Sequence, residues 1–71
     1  MSGISKEKTR HFGRMEETDR DWPLEVNMVA WNGGEPKVDI RPWSPDGERC
    51  GKGITLTVEE ARWVAAMLAK V

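Results

Sequence analysis

Apolar and polar residues alternate through the middle of the chain, which is the pattern of half-buried β-strands. Residues 22–31 alternate strictly, and their core-facing side chains are predicted to be Leu24, Val26, Met28 and Ala30. Asn32-Gly33-Gly34 follows, and Asn and Gly tolerate the positive φ that a hairpin turn needs. Residues 36–43 alternate in the same way, with Val38 and Ile40 on one side. The two segments therefore predict an antiparallel hairpin.

Two more strands are predicted on either side of this hairpin. Residues 11–17 form a short first strand, and residues 48–56 form a fourth strand after the turn Ser44-Pro45-Asp46-Gly47. Strict alternation in the fourth strand would place Lys52 on the core face beside Ile54 and Leu56, where a charge is unfavourable. We therefore expect a bulge or twist at Gly51 and Gly53 that turns Lys52 to the opposite face.

The last fifteen residues, 57–71, have the pattern of a helix. Thr57 as N-cap and Glu60 three residues later form a capping box. A core-facing apolar stripe is predicted at Ala61, Val64, Ala65, Leu68 and Val71. Trp63, Ala66 and Met67 make the stripe wider than one face requires. Two interpretations stay open: these three residues form a dimer interface, or the whole stripe packs on the chain's own sheet.

The predicted fold class is α+β, a four-stranded antiparallel β-sheet followed by one C-terminal α-helix (ββββα). Residues 1–10 are polar and charged and are expected to be a flexible basic arm, which leaves 11–71 as the folded domain. A chain of 71 residues buries only about 60% of its unfolded surface. Its single cysteine excludes an intramolecular disulfide, so a second subunit is the expected source of additional stability.

The charges are distributed unevenly although the net charge is only −1. Residues 1–14 carry four cations against one acidic residue, and residues 15–21 carry four acidic residues against one arginine. A polyanion site must therefore be local, and binding to it should be salt-sensitive.

The face of the sheet opposite the helix is the candidate for such a site. Lysine and arginine there would neutralise phosphates, and tryptophan would stack on bases, with about 1–3 kcal/mol per base. The candidate nucleic-acid-binding residues are Trp31, Lys37, Arg41, Trp43, Arg49 and Lys52. Ordinary packing of the two tryptophans is the alternative interpretation.

Other classes of function receive less support from the sequence. Cys50 has no base except the distant His11, and no carboxylate pair or ligand cluster is apparent, so we expect no enzyme, cofactor or metal. No segment has the length or apolarity of a membrane span or signal peptide, which predicts a cytoplasmic protein without membrane partners. A small dimeric module that grips a peptide or a transcription protein remains an alternative, and low salt sensitivity would favour it.

Several motifs together resemble a known family. Val38-Asp39-Ile40-Arg41 with Trp43, the turn Ser44-Pro45-Asp46-Gly47-Glu48, and Gly51-Lys52-Gly53-Ile54-Thr55-Leu56 before a helix resemble the transcriptional coactivator positive-cofactor-four (PC4-like) family. The stretch Glu25-Val26-Asn27-Met28-Val29-Ala30-Trp31-Asn32-Gly33 is similar to its bacterial YdbC-type branch.

The resemblance implies a homodimer built through the C-terminal helices. It also implies a curved sheet surface that binds single-stranded DNA or RNA with little sequence preference, in transcription, replication or repair. Lys52, Arg41 and Trp43 would belong to this surface, with Trp31 at the end of the preceding strand. In a bacterium such a protein would be associated with the nucleoid.

Overall fold

A computed structural model describes residues 5–71 as one antiparallel sheet followed by one helix. The strand order is β1-β2-β3-β4, so each strand pairs with its neighbour in sequence. The elements are β1 (Lys6–Met15), β2 (Leu24–Trp31), β3 (Lys37–Pro42), β4 (Ile54–Leu56) and α1 (Val58–Leu68). The predicted α+β class and the order of elements are confirmed.

The central hairpin of β2 and β3 has the predicted alternation. Val26 lies opposite Ile40, and Met28 lies opposite Val38, on one face of the sheet. The turn between the strands uses positive φ at Asn32 (52°) and Gly33 (74°), as the residue types predicted.

The first strand is longer than predicted and begins earlier. It spans Lys6–Met15 rather than residues 11–17, so residues 6–10 of the predicted arm pair with β2. Residues 1–4 of that arm lie outside the described residues. The alternation was hidden because the pairing register shifts twice, between Lys8 and Arg10 and between His11 and Gly13. Each shift adds one residue and breaks the period of two.

The fourth strand is shorter than predicted. Only Ile54–Leu56 pairs with β3, and Cys50 makes an isolated bridge to Trp43. Gly53 lies so close to β3 that a Cβ there would be 2.2 Å from the Ile40 carbonyl oxygen. A glycine is needed at this position for close backbone approach, and the segment before β4 is a loop rather than the predicted strand with a bulge.

Helix α1 lies against β3 and β4 and begins with the predicted capping box. The Glu60 amide donates to Thr57 Oγ1 (3.0 Å), and the Thr57 amide donates to Glu60 Oε1 (2.9 Å). The helix has no buried residue. Half-buried apolar positions on it are Ala61, Val64 and Met67, whereas Ala65, Leu68 and Val71 of the predicted core stripe are exposed. The contact with the chain's own sheet is thus narrower than expected.

The most buried side chains lie on the opposite face of the sheet, which the sequence had assigned to the non-core side. Val29 is fully buried, and so are the polar Asn27 and Asp39, while Glu25 is 2% exposed. Long side chains from β1 and β3 cover these residues, and the single helix leaves the apolar face largely open.

Candidate nucleic-acid interface

One face of the sheet carries most of its charged side chains, and we call it the polar face. The register places alternate residues of β2, β3 and β4 on it, together with four residues of β1. It contains Lys6, Lys8, His11, Arg14, Glu25, Asn27, Val29, Trp31, Lys37, Asp39, Arg41 and Thr55. Five of these are lysine or arginine and two are acidic. The polar face is therefore cationic although the whole chain is not.

The four residues from β1 form a basic row along one edge of the polar face: Lys6, Lys8, His11 and Arg14. In a regular strand these spacings would divide them between the two faces. The two register shifts return each of them to the polar face. Sequence reasoning missed this row because simple alternation does not predict where a bulge falls.

A cleft of about 450 Å³ lies on the polar face. It is lined by Lys6, Trp31, Arg41, Cys50, Gly51 and Lys52. Three of the six predicted binding residues therefore meet in one place, and Lys6 joins them. Lys52 reaches the cleft from the loop before β4, because the close approach of Gly53 to β3 brings that loop over Arg41.

Arg41 is held in the cleft by the buried Asp39 and the exposed Thr55. Its Nε donates to Asp39, and one terminal nitrogen donates to Thr55 Oγ1 at 3.3 Å. The Thr55 hydroxyl in turn donates to Asp39 Oδ2 at 2.9 Å. The guanidinium lies 4.6 Å from the centre of the Trp31 ring, within the range of a cation–π contact. Arg41 thus fixes Trp31 and keeps unused N–H groups for a ligand.

Trp43 occupies a different environment from Trp31. It is 2% exposed, and Lys8 Nζ lies 4.0 Å from its ring centre. Lys8 is also bound to Glu25 Oε1 at 2.8 Å. The ring therefore has no free face for a base in this structure. We assign Trp43 a supporting role under the basic row, in contrast to the stacking expected from the sequence.

Glu25 is the central acceptor beneath the basic row. Burial raises the pKa of its carboxyl, but hydrogen bonds from Lys8 and Asn27 and the charges of Lys8 and His11 outweigh burial. The pKa is consequently held below its ordinary value of 4.5. Arg14 approaches the same carboxylate at 3.7 Å. The ionised Glu25 thus organises several side chains of the row from below.

The two remaining predicted residues lie outside the cleft. Lys37 is exposed on the polar face opposite Val29. The Arg49 guanidinium is 5.5 Å from the centre of the Trp22 ring, so it packs on that tryptophan.

Across residues 5–71, no three His, Cys, Asp or Glu side chains are grouped closely enough to bind a metal ion. In the same part of the chain no helix combines the length and apolarity required to cross a bilayer.

Comparison with known proteins decides the family. The family model for Transcriptional Coactivator p15 (PC4) matches residues 18–65, which includes β2, β3, β4 and most of α1. The chain belongs to the PC4 family. Proteins of the PC4 family are non-enzymatic and bind DNA, and membership supports a nucleic-acid-binding, coactivator-like role at the level of the family.

The chain is also similar to an uncharacterized protein of Treponema pallidum (strain Nichols). It is 46% identical over 54 residues, which cover 76% of this chain and 64% of that protein. The chain thus spans less than two thirds of the length of this relative.

Proposed function

We propose that this PC4-family chain binds single-stranded nucleic acid through the polar face, with single-stranded DNA as the first ligand to test. The observation that carries the proposal is the cleft, where Trp31 lies among Lys6, Arg41 and Lys52. An aromatic ring among cations suits a strand that exposes both bases and phosphates. In a duplex the bases are stacked internally and the ring would have no partner.

The aromatic and cationic residues of the cleft have distinct roles in this proposal, and Lys37 adds to them from outside the cleft. Trp31 stacks on a base, with its ring orientation fixed by Arg41. Lys6 and Lys52 contact phosphates on either side, and Lys37 extends the path along the polar face. Because the contacts are to ring faces and phosphates, little sequence preference is expected.

We further propose that the chain is a homodimer. Helix α1 has no buried residue, and Trp63 is 64% and Leu68 61% exposed. A groove of about 470 Å³ between α1 and the apolar face is lined in part by Phe12, Met28, Val38 and Ala65. Apolar surface of this kind is what a second copy of the helix would bury. The predicted interface residues are Trp63, Ala66 and Met67.

The proposed ligand limits the biological processes in which the protein acts. Transcription, replication and repair all expose single strands, and we propose one of these processes in the cytoplasm, or on the nucleoid of a bacterium. We also propose the YdbC-type branch, on the similarity of residues 25–33.

The proposal is tested by fluorescence anisotropy of labelled oligo-dT and of a matched duplex at several salt concentrations. We expect preference for the single strand, and a logarithmic salt slope of about −0.7 for each phosphate contacted. Lys52→Gln should lower that slope by about 0.7. Lys70→Gln, after the end of α1, is the matched control and should leave the slope unchanged. Equal affinity for the duplex, or salt-independent binding, would contradict the proposal; the latter would favour a peptide-binding module.

A further inference from the structure

His11 occupies the middle of the basic row and is the one histidine of the chain. Its Nδ1 lies 2.6 Å from Asn27 Oδ1, and its side chain is 51% exposed. The partner is itself fixed, because Asn27 Nδ2 donates to Glu25 Oε1 at 3.0 Å. The Asn27 oxygen must then accept the hydrogen bond from His11.

This arrangement determines the tautomer of the neutral imidazole. Nδ1 carries the hydrogen, because an acceptor faces it, and Nε2 carries the lone pair. Among residues 5–71, no hydrogen bond to Nε2 is present. On protonation, Nε2 becomes an N–H donor with a positive charge on the exposed side of the polar face.

The charges around His11 act on its protonated form in opposite directions. On β1, His11 lies between Lys8 and Arg14, whose charges oppose a further cation. On β2, the Glu25 carboxylate is 3.9 Å from Nδ1 and favours the cation. On β3, Asp39 lies opposite Asn27 but is occupied by Arg41 and Thr55. A phosphate above the row would add negative charge on the exposed side of His11 and favour the protonated imidazole.

We propose that His11 Nε2 is a phosphate-binding contact of the polar face that acts only when the imidazole is protonated. Binding of single-stranded nucleic acid then takes up one proton at His11, and affinity rises as pH falls from 8 to 6. The inference rests on the proposed function, since it needs a polyanion on the polar face.

The test measures oligo-dT affinity at pH 8 and pH 6, at constant salt, for the wild-type chain, His11→Gln and His11→Asn. The wild type should bind about fivefold more tightly at pH 6, the lower end of ordinary coupling between two binding events. Both variants should lose this pH dependence, since neither amide titrates. His11→Asn can retain the Nδ1–H donor, so a loss of pH dependence in this variant would show that the hydrogen bond to Asn27 alone does not produce the effect.

Nitrogen-15 NMR of the single imidazole gives an independent readout. In the free protein at high pH the ring should be the Nδ1–H tautomer, and oligo-dT should keep it protonated to higher pH by linkage. Tight binding with no pH dependence, or pH dependence that survives in His11→Gln, would overturn this inference while leaving the proposed function intact. Absence of binding at both pH values would overturn both.

Discussion

At the scale of single residues, the buried carboxylates are the unexpected feature of the polar face. Glu25 and Asp39 lie beneath the cations that a polyanion would contact, and each is bound by one of them, Lys8 and Arg41. Burying a charge is unfavourable unless it is paired and hydrogen-bonded, and both conditions are met here. The acids hold long, flexible cations in place, which reduces the entropy that ordering them on a ligand would cost.

The lowered pKa of Glu25 predicts a contribution to stability that depends on pH. A carboxyl whose folded-state pKa is depressed stabilises the fold above its ordinary pKa of 4.5, and this stability is lost as pH falls through the folded-state value. The free energy of unfolding, measured in denaturant at pH 7, should therefore be about 2 kcal/mol lower for Glu25→Gln than for the wild type. The difference should shrink as pH falls below 4.5. Glu16→Gln, at a residue 69% exposed, is the control and should change little.

Trp31 is the residue on which base stacking depends. Trp31→Ala should weaken oligo-dT binding by about 5- to 150-fold, equivalent to about 1–3 kcal/mol of stacking. Trp22→Ala is the matched tryptophan control, because Trp22 lies outside the cleft and packs against Arg49. Circular dichroism should show that both variants are folded. If both then lose the same amount of affinity in the titration, Trp31 has no special role in binding.

At the scale of elements, the sequence predicted what depends on period and turn chemistry. Local patterns predicted the β2–β3 hairpin, the face on which each of its side chains lies and the capping box of α1, and all three are observed. The extent of β1 and β4 could not be predicted, because it depends on non-local pairing. The bulges in β1 and the approach of Gly53 to Ile40 are seen only once neighbouring strands are placed. For the same reason the sequence predicted only part of the cleft. It identified Trp31, Arg41 and Lys52 but missed Lys6.

The loop before β4 gives the element-scale prediction. A Cβ at Gly53 would lie 2.2 Å from the Ile40 carbonyl oxygen, so Gly53→Ala must push β4 and the Lys52 loop away from β3. We expect a cost of about 1–3 kcal/mol and a melting temperature about 10 °C lower. A Cβ at Gly13 meets nothing within 4 Å, so Gly13→Ala is the control and should be tolerated. A thermally neutral Gly53→Ala would refute the close-approach explanation.

At the scale of the whole molecule, the two faces of the sheet differ in surface chemistry and in how far they are covered. The polar face is covered by its own side chains and carries surplus cations, whereas the apolar face is only partly covered by α1. Exposed apolar residues include Phe12 (50%) and Ile54 (51%) on this face and Trp63 (64%) on α1. A small domain with such a face gains stability from a second copy. In the proposed dimer, folding uses the apolar face and binding uses the polar face.

Sedimentation equilibrium tests the dimer. The wild-type chain should sediment at twice its monomer mass of 8.1 kDa. Trp63→Glu should dissociate it, because a charge would be buried in an apolar interface. Trp63→Phe keeps the aromatic packing and should remain largely dimeric. A wild-type chain that is monomeric at 100 µM, a concentration on the order of ordinary weak association, would exclude the proposed homodimer.

The central claim is that a single strand lies on the polar face, and the indole N–H signals of the four tryptophans test it most directly. In a titration of the ¹⁵N-labelled chain with oligo-dT, the Trp31 signal should shift most. Amide shifts should cluster at Lys6, Arg41 and Lys52, and the Trp63 signal should change little. Shifts concentrated on α1, or a Trp31 signal that stays constant at saturating oligonucleotide, would contradict the assignment of the binding site.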